Sequence, residues 1–233
     1  MKLIIRNVIM LGIISAILAF YYLPTSTTQE KLQAITDKID TELSIIERKS
    51  KRPRVLSNEL IKQMAVFANS CPLEKIVVGD VEISGKYSKE KGKLLLGLLR
   101  RKLTKATYVK IFESVSFQGA FLKNADLKGE NLSRLQLSRA YLAGTELNNA
   151  NLEGMNLYKT NLSKANLSAA NLKTANLREA ILNGTDLSDA IFTNAYLVDA
   201  KLGNSAKLDR ADFTGANLSG VDFSNVHPSF VKP

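Results

Sequence analysis

The distribution of apolar positions divides the chain into three stretches of different period. Residues 8 to 23, reading VIMLGIISAILAFYYL, carry no charge and close at Pro24, with Lys2 and Arg6 before them. A bilayer core asks for roughly 20 apolar residues, and Leu3 to Ile5 extend the run past an Arg6 able to snorkel. A cleaved signal would need a small-x-small site, but Ile17 stands two before Ala19 and Phe20 to Leu23 is bulky. The pattern predicts a transmembrane signal-anchor helix over residues 1–24, meeting the membrane through residues 3–23. Lys2 and Arg6 favour a cytoplasmic start, whereas Lys31, Lys38 and the bases from Arg48 to Arg54 pull the other way. The expectation is a single-pass membrane protein with the rest of the chain on the exported side.

From residue 25 to 112 the apolar period is mostly helical. Thr27 with Glu30 three residues on is a capping-box signature, and Leu32, Ile35, Ile39, Leu43 and Ile46 recur at three- and four-residue steps. This predicts a helix to about Arg48, whose stripe suits either the protein's own next helix or a homodimer through residues 27–48. KSKRPRV (49–55) reads as a basic linker. A second helix runs from Ser57 as N-cap to about Asn69, with Leu60, Ile61, Met64 and Phe67 on one side. Lys75 to Tyr87 reads as a hairpin about Gly79-Asp80. A third helix, 89–105, has a Leu-rich side and seven bases against one acid. Its Leu side is expected to cap the domain beyond residue 113, the bases facing water.

In that domain one pattern takes over. Leu or Phe stands at every fifth position from Phe117 to Leu202, eighteen positions without a gap. After a one-residue insertion at Gly203 or Asn204 the phase resumes at Leu208, Phe213, Leu218 and Phe223, for 22 units in all. Two residues before the Leu or Phe, 14 of the 22 are Ala; immediately before it, eight are Asn and four are Asp. A period of five is neither helical nor alternating. It fits a square coil in which each unit forms one side, Leu or Phe fills the axis and Ala leaves room beside it. Asn and Asp suit the corner through bonds to local backbone. Coils spaced about 4.8 Å apart would build a rod roughly 26 Å long.

The A-[N/D]-L-x-x units over residues 115 to 225, seen almost unbroken in KANLSAANLKTANLRE (164–179), strongly resemble the pentapeptide-repeat protein family. The resemblance implies an all-β, right-handed quadrilateral β-helix, here over residues 113–227, with a C-terminal tail at 228–233. Four of the first ten small-residue positions are Ala, against ten of the last twelve, so the first coils are expected to be wider and less regular. Glu130 at an inward position predicts a local distortion. His227 to Val231 are expected to cover the last coil.

Composition and charge narrow the function. One Cys and one His exclude an intrachain disulfide and a His/Cys zinc site. With no Ser/His or Cys/His pairing and no glycine-rich phosphate loop, the chain is read as non-enzymatic, with no catalytic, cofactor-binding or metal residues. Cys71 reads as an ordinary buried residue. The net charge of +10 lies wholly in residues 1–112, which hold 20 bases and 10 acids; residues 113–233 hold 12 of each. Some family members mimic DNA and bind gyrase, but a mimic needs a strongly negative rod, and this one is neutral. Nucleic acid is therefore disfavoured as a partner, with anionic lipid or nucleic-acid binding by the basic 25–112 region a further alternative.

Residues twenty apart share a side of the coil, which places Phe121, Tyr141, Asn161, Ile181 and Lys201 in one column. The outward aromatic step of Phe121 over Tyr141, with Ile181, is the candidate surface for an unidentified protein partner. Arg139, Lys159 and Arg178 form a second, basic strip. The resulting expectation is a membrane-anchored interaction scaffold.

Overall fold

A computed structural model describes residues 27–49, 55–78, 81–203, 205–223 and 226. The expected anchor, the linker from Ser50, the hairpin tip and the tail from His227 lie outside them. Among the described residues no helix is long and apolar enough to cross a membrane.

Helix α1, Thr28–Lys49, opens on a closed capping box. The Thr27 N–H donates to Glu30 Oε2 at 2.7 Å and the Glu30 N–H to Thr27 Oγ1 at 3.2 Å. Helix α2, Asn58–Ser70, starts where the Ser57 hydroxyl accepts from the Leu60 N–H. The hairpin is present as β1, Glu74–Val78, antiparallel to β2, Val81–Tyr87. Helix α3 spans Lys89–Arg100 and helix α4 spans Lys105–Ser114. The basic run to residue 105 is thus not one helix. The chain turns at Arg101 to Thr104, Lys102 taking a positive φ of 47°, and Thr104 caps a fourth helix that the apolar period does not predict. That helix carries the chain past residue 113, so the coil opens only after Ser114.

Four contacts fix the helix directions. Glu42 receives the Ser57 hydroxyl at 2.6 Å and Lys38 donates to Gln63 at 3.0 Å, so α2 runs antiparallel to α1. Lys93 donates to Gln29 at 3.0 Å and Arg101 pairs with Asp40 at 2.7 Å, so α3 runs parallel to α1. Leu32, Ile35, Ile39 and Leu43 are consequently buried inside the chain, with α2 and α3 as neighbours. This corrects the homodimer expectation for residues 27–48: the described part of the stripe has no free face to offer a second copy.

Helix α3 closes the open end of the coil. Its Leu94, Leu95, Leu98 and Leu99 are buried in one continuous core with the axial leucines, and Lys91, itself buried, donates to the Gln118 carbonyl at 3.1 Å. Gly92 lies directly over the Phe121 carbonyl, where a Cβ would collide with backbone. Just before α3, Ser88 pairs in parallel with Ala120, so the end of β2 is in effect one side of a preceding coil.

The coil repeats every twenty residues, each side bridged to the next turn from Phe121↔Tyr141 to Ile181↔Lys201. From Asp186↔Lys207 onward the offset is 21, which is where the inserted residue is taken up. Three backbone bonds tie each side to the next coil. On one side the Ile181 N–H reaches Thr160 O at 2.9 Å, Leu162 reaches Ile181 O at 2.8 Å and Lys164 reaches Asn183 O at 2.9 Å. Axial Leu and Phe and the inward Ala are buried as far as Phe213, whose ring stacks on Phe192 at 4.8 Å, while Ala216, Leu218 and Phe223 are half-buried.

The corner differs from the expected one. From Phe117 to Leu197 and from Leu208 to Leu218 each axial carbonyl accepts from the N–H three residues on, as from Ala165 to Leu162 at 3.0 Å, and the second residue between them has positive φ. That is a type II turn, placed after the Leu rather than at the Asn before it. The Asn instead braces the corner, as where Asn131 Oδ1 accepts from the Ser133 N–H at 3.3 Å. Asn side chains also bond along the column: Asn151 donates to Asn131 at 3.2 Å and Asn171 to Asn151 at 3.1 Å.

Two further expectations are corrected. Glu130 causes no distortion: its N–H bonds Leu127 O and its carbonyl accepts from Asn151, while the half-buried side chain lies near Tyr108 of α4. Bulky Leu135 and Met155 are absorbed without a break in the ladder. Before the insertion, irregularity is confined to the entry, where Gly119 reaches Ser138 O but Ser116 forms no bridge to Gln136 among the described residues.

Candidate interaction surface

Four columns of outward residues follow from the ladder. Side one begins each coil at Phe121, Tyr141, Asn161, Ile181 and Lys201; side two at Asp126, Glu146, Asn166, Asp186 and Lys207. Side three begins at Asn131, Asn151, Asn171, Ile191 and Asp212; side four at Gln136, Asn156, Asn176, Tyr196 and Asn217.

On side one the Phe121 and Tyr141 rings stack at 5.3 Å and 12°, as the twenty-residue offset requires. They are not a free surface. Tyr87, at the end of β2, sets its ring edge-on to Tyr141 at 5.2 Å and tilted to Phe121 at 6.4 Å. Tyr87 is 8% exposed and the other two half-buried. Burial pushes the Tyr87 and Tyr141 phenols above their ordinary value, keeping both neutral. The step is thus largely an internal dock for the hairpin. Ile181, two coils further on, lies outside it and is half-buried.

The basic strip of side four also reads differently. Arg139 and Lys159 are corner residues with φ of 57° and 55°, but the next corner in their column is Glu179, with Arg178 one step before it. Lys159 pairs with Glu179 at 3.2 Å and Tyr158 donates to the same carboxylate at 3.0 Å. Those hydrogen bonds hold the Glu179 carboxyl below its usual range. The column is therefore mixed in sign. Side two is mixed likewise, with Lys207 paired to Asp186 at 3.1 Å and Arg210 to Asp189 at 2.6 Å. Side four carries the most exposed aromatic among the described large apolar residues, Tyr196 at 52%.

Where α4 meets the first coil, an open groove of about 270 Å³ is lined by Glu113, Ser116, Gln118, Gln136, Ser138 and Asn156 among others. It lies at the unbridged entry. Among the described residues no group of His, Cys, Asp and Glu is placed to hold a metal ion. Cys71 is buried near Ser88 and Lys91, and burial raises its thiol to about 11. Such a thiol is a poor nucleophile.

The family model for pentapeptide repeats matches residues 136–173, 170–205 and 204–227, with eight copies. The chain belongs to the pentapeptide-repeat family. Its coil is the β-helix that family membership implies. A pentapeptide repeat protein from the Arabidopsis thaliana thylakoid lumen is 32% identical over 44% of this chain and 67% of its own, with a TM-score of 0.35. Rfr23, a pentapeptide repeat protein from the cyanobacterium Cyanothece 51142, is 26% identical over 50% of this chain and 90% of its own, with a TM-score of 0.30. QnrB1, a plasmid-mediated fluoroquinolone resistance protein, is 18% identical over 48% and 74%, with a TM-score of 0.32. Among curated proteins none matches the chain.

Proposed function

We propose that this pentapeptide-repeat protein is a membrane-tethered, non-enzymatic scaffold that displays the faces of its coil to a protein partner on the exported side. The observation that supports this reading is the uninterrupted ladder from Phe121 to Asn217. A ladder of this kind makes a rigid rod whose inward positions are committed to packing and whose outward positions are free to vary. The apolar run at residues 8–23 supports the tether. Polar side-chain rows with one exposed aromatic, as on side four, suit a protein partner better than a small substrate.

The tether and the scaffold are tested separately. Resistance of the full-length protein to alkaline carbonate extraction is expected, and complete release would overturn the tether. Protease digestion of the repeat from the exported face only is expected; protection there would reverse the orientation. For the scaffold, photo-crosslinkers at Tyr196 and at Ser133 of the full-length protein in its native membrane are expected to give different adducts. Identical adducts from both faces, or none, would overturn a specific protein-facing surface. Gyrase binding by DNA mimicry draws no support from the charge pattern, since each acidic stretch of the coil carries bases beside it. Submicromolar inhibition of supercoiling would reverse that preference.

A further inference from the structure

Sorting charges by the twenty-residue ladder separates one face from the other three. Over five coils side one reads FLKN, YLAG, NLSK, ILNG and KLG (121–124, 141–144, 161–164, 181–184, 201–203). It holds Lys123, Lys164 and Lys201 and no Asp or Glu; the first acid in line is Asp222, beyond the fifth coil. Side two carries five acids over the same length, Asp126, Glu146, Asp186, Asp189 and Asp209, against three bases, Lys128, Lys207 and Arg210. The coil is neutral as a whole and polarised across its section.

The helical cap is oriented towards the same face. Ser88 and Gly92, at the start of α3, lie on the edge of side one, against Ala120 and Phe121. Helix α1 runs parallel to α3, with Gln29 beside Lys93. The first turn of α1 therefore lies at the end of the cap that adjoins side one. The apolar segment at residues 8–23 is joined to that end by only a few residues of chain. Exposed Lys86, Lys89 and Lys93 stand along it, with Glu30, Glu74 and Glu90 as neighbouring acids.

We infer that side one is the face the coil lays against an anionic lipid surface, so that the rod lies along the membrane and sides two, three and four face away. This rests on the tether proposed above. The three lysines span four coil spacings, about 19 Å, on a face whose Phe121 and Tyr141 are taken up by Tyr87 and whose other outward positions are Ile, Ala, Ser, Gly and amides, which lose little on approaching headgroups. A lysine held near an anionic leaflet contributes about fivefold to attraction, and three together on the order of 100-fold at physiological salt. Contact with side two would instead bring five carboxylates, offset only in part by Lys128, Lys207 and Arg210, against like charge. Side one thereby gains a role that its aromatic pair, already occupied by Tyr87, does not supply.

The experiment uses the full-length protein in two kinds of vesicle, zwitterionic phosphatidylcholine alone and phosphatidylcholine with about one third phosphatidylglycerol. In a Cys71→Ser background a single label is placed at Ser163→Cys on side one or at Lys173→Cys on side three, the same corner position of the same coil. Flotation in both vesicles that survives 1 M salt reports the tether. Headgroup quenching of the label at 163 but not at 173, in anionic vesicles only and lost at 1 M salt, is the expected result. The combined Lys123→Gln, Lys164→Gln and Lys201→Gln variant should float equally well and lose that quenching. Protein that floats but shows equal quenching at the two labels overturns the lipid-facing assignment and leaves the tether standing. Protein that does not float overturns the tether and this inference with it.

Discussion

At each corner the backbone adopts a conformation that its residue type does not always favour. Arg134, Lys164, Ala169, Thr174 and Glu179 all have φ between 53° and 63°, a region that costs an L-residue about 1–2 kcal/mol. Ladder bonds on both flanks over-determine that geometry. Ala169→Gly removes the steric cost and adds a smaller loss of chain entropy, so it should stabilise the protein by about 0.5–1 kcal/mol. A higher urea midpoint at unchanged slope is the check, and a lower midpoint would refute the corner's cost. Inside the coil the threonines at alanine positions are satisfied: buried Thr160 donates to Leu137 O at 3.0 Å. Thr160→Val keeps the volume and loses that bond, but Leu137 O still accepts from Ala140. A loss of about 1 kcal/mol is expected in the same denaturation assay. For Cys71, burial raises the folded thiol from 9.0 to about 11, so the folded state holds this proton more tightly than the unfolded chain. That contribution to stability is whole below about pH 9 and is lost as pH rises towards 11. Iodoacetamide at pH 8 should leave the native thiol largely unmodified and alkylate it readily in urea; equal rates would refute the burial argument.

Between the elements, the decisive contact is the approach of α3 to the first coil. Gly92 sits so close over the Phe121 carbonyl that a methyl group there must displace backbone. Gly92→Ala should cost about 1–3 kcal/mol and loosen the cap while the later coils hold. Limited proteolysis is the check, with cuts expected among residues 89–114 and an intact repeat. Cuts spread evenly along the chain would instead mean that cap and coil unfold as one. Much of this level was legible in the sequence. Thr27 with Glu30 and Ser57 mark helix starts because a capping hydroxyl acts within three residues, and the Leu face of α3 is plain from its period. Helix α4 escaped because it buries only Thr107, Ile111 and Phe112, too few to impose a period over ten residues. The cover over Phe121 and Tyr141 escaped for a different reason. Tyr87 is distant in sequence from both, and nothing local in the hairpin signals where its ring will rest. The corners escaped because their occupants range from Gly to Arg, so the conformation is set by the coil and not by the residue. The face with three lysines was present in the sequence throughout, and becomes visible only when charges are sorted by the ladder's period.

For the whole molecule, register is the property on which everything else depends. Each side takes five residues, and bridges stay at an offset of 20 until the insertion near Gly203 moves them to 21. An extra residue is tolerated there because a corner can bulge outward, and Asp186↔Lys207 resumes the ladder at once. A missing residue has no such outlet. Deleting Ser168 leaves four residues to span a side, so the Leu167 corner cannot close, and either Ala170 or Leu172 must leave the axis. Each lost axial leucine costs about 2–5 kcal/mol, comparable to the stability of a whole domain once two are displaced. Deleting Asn204 does the reverse, returning the chain to an unbroken period of five and an offset of 20 from end to end. The deletion at 204 should therefore keep the cooperative thermal transition and the β-sheet circular dichroism of the parent. The deletion at 168 should abolish the transition or split it in two. If both deletions behave alike, the coil is not held by register, and the four-sided sorting of its surface loses its physical basis.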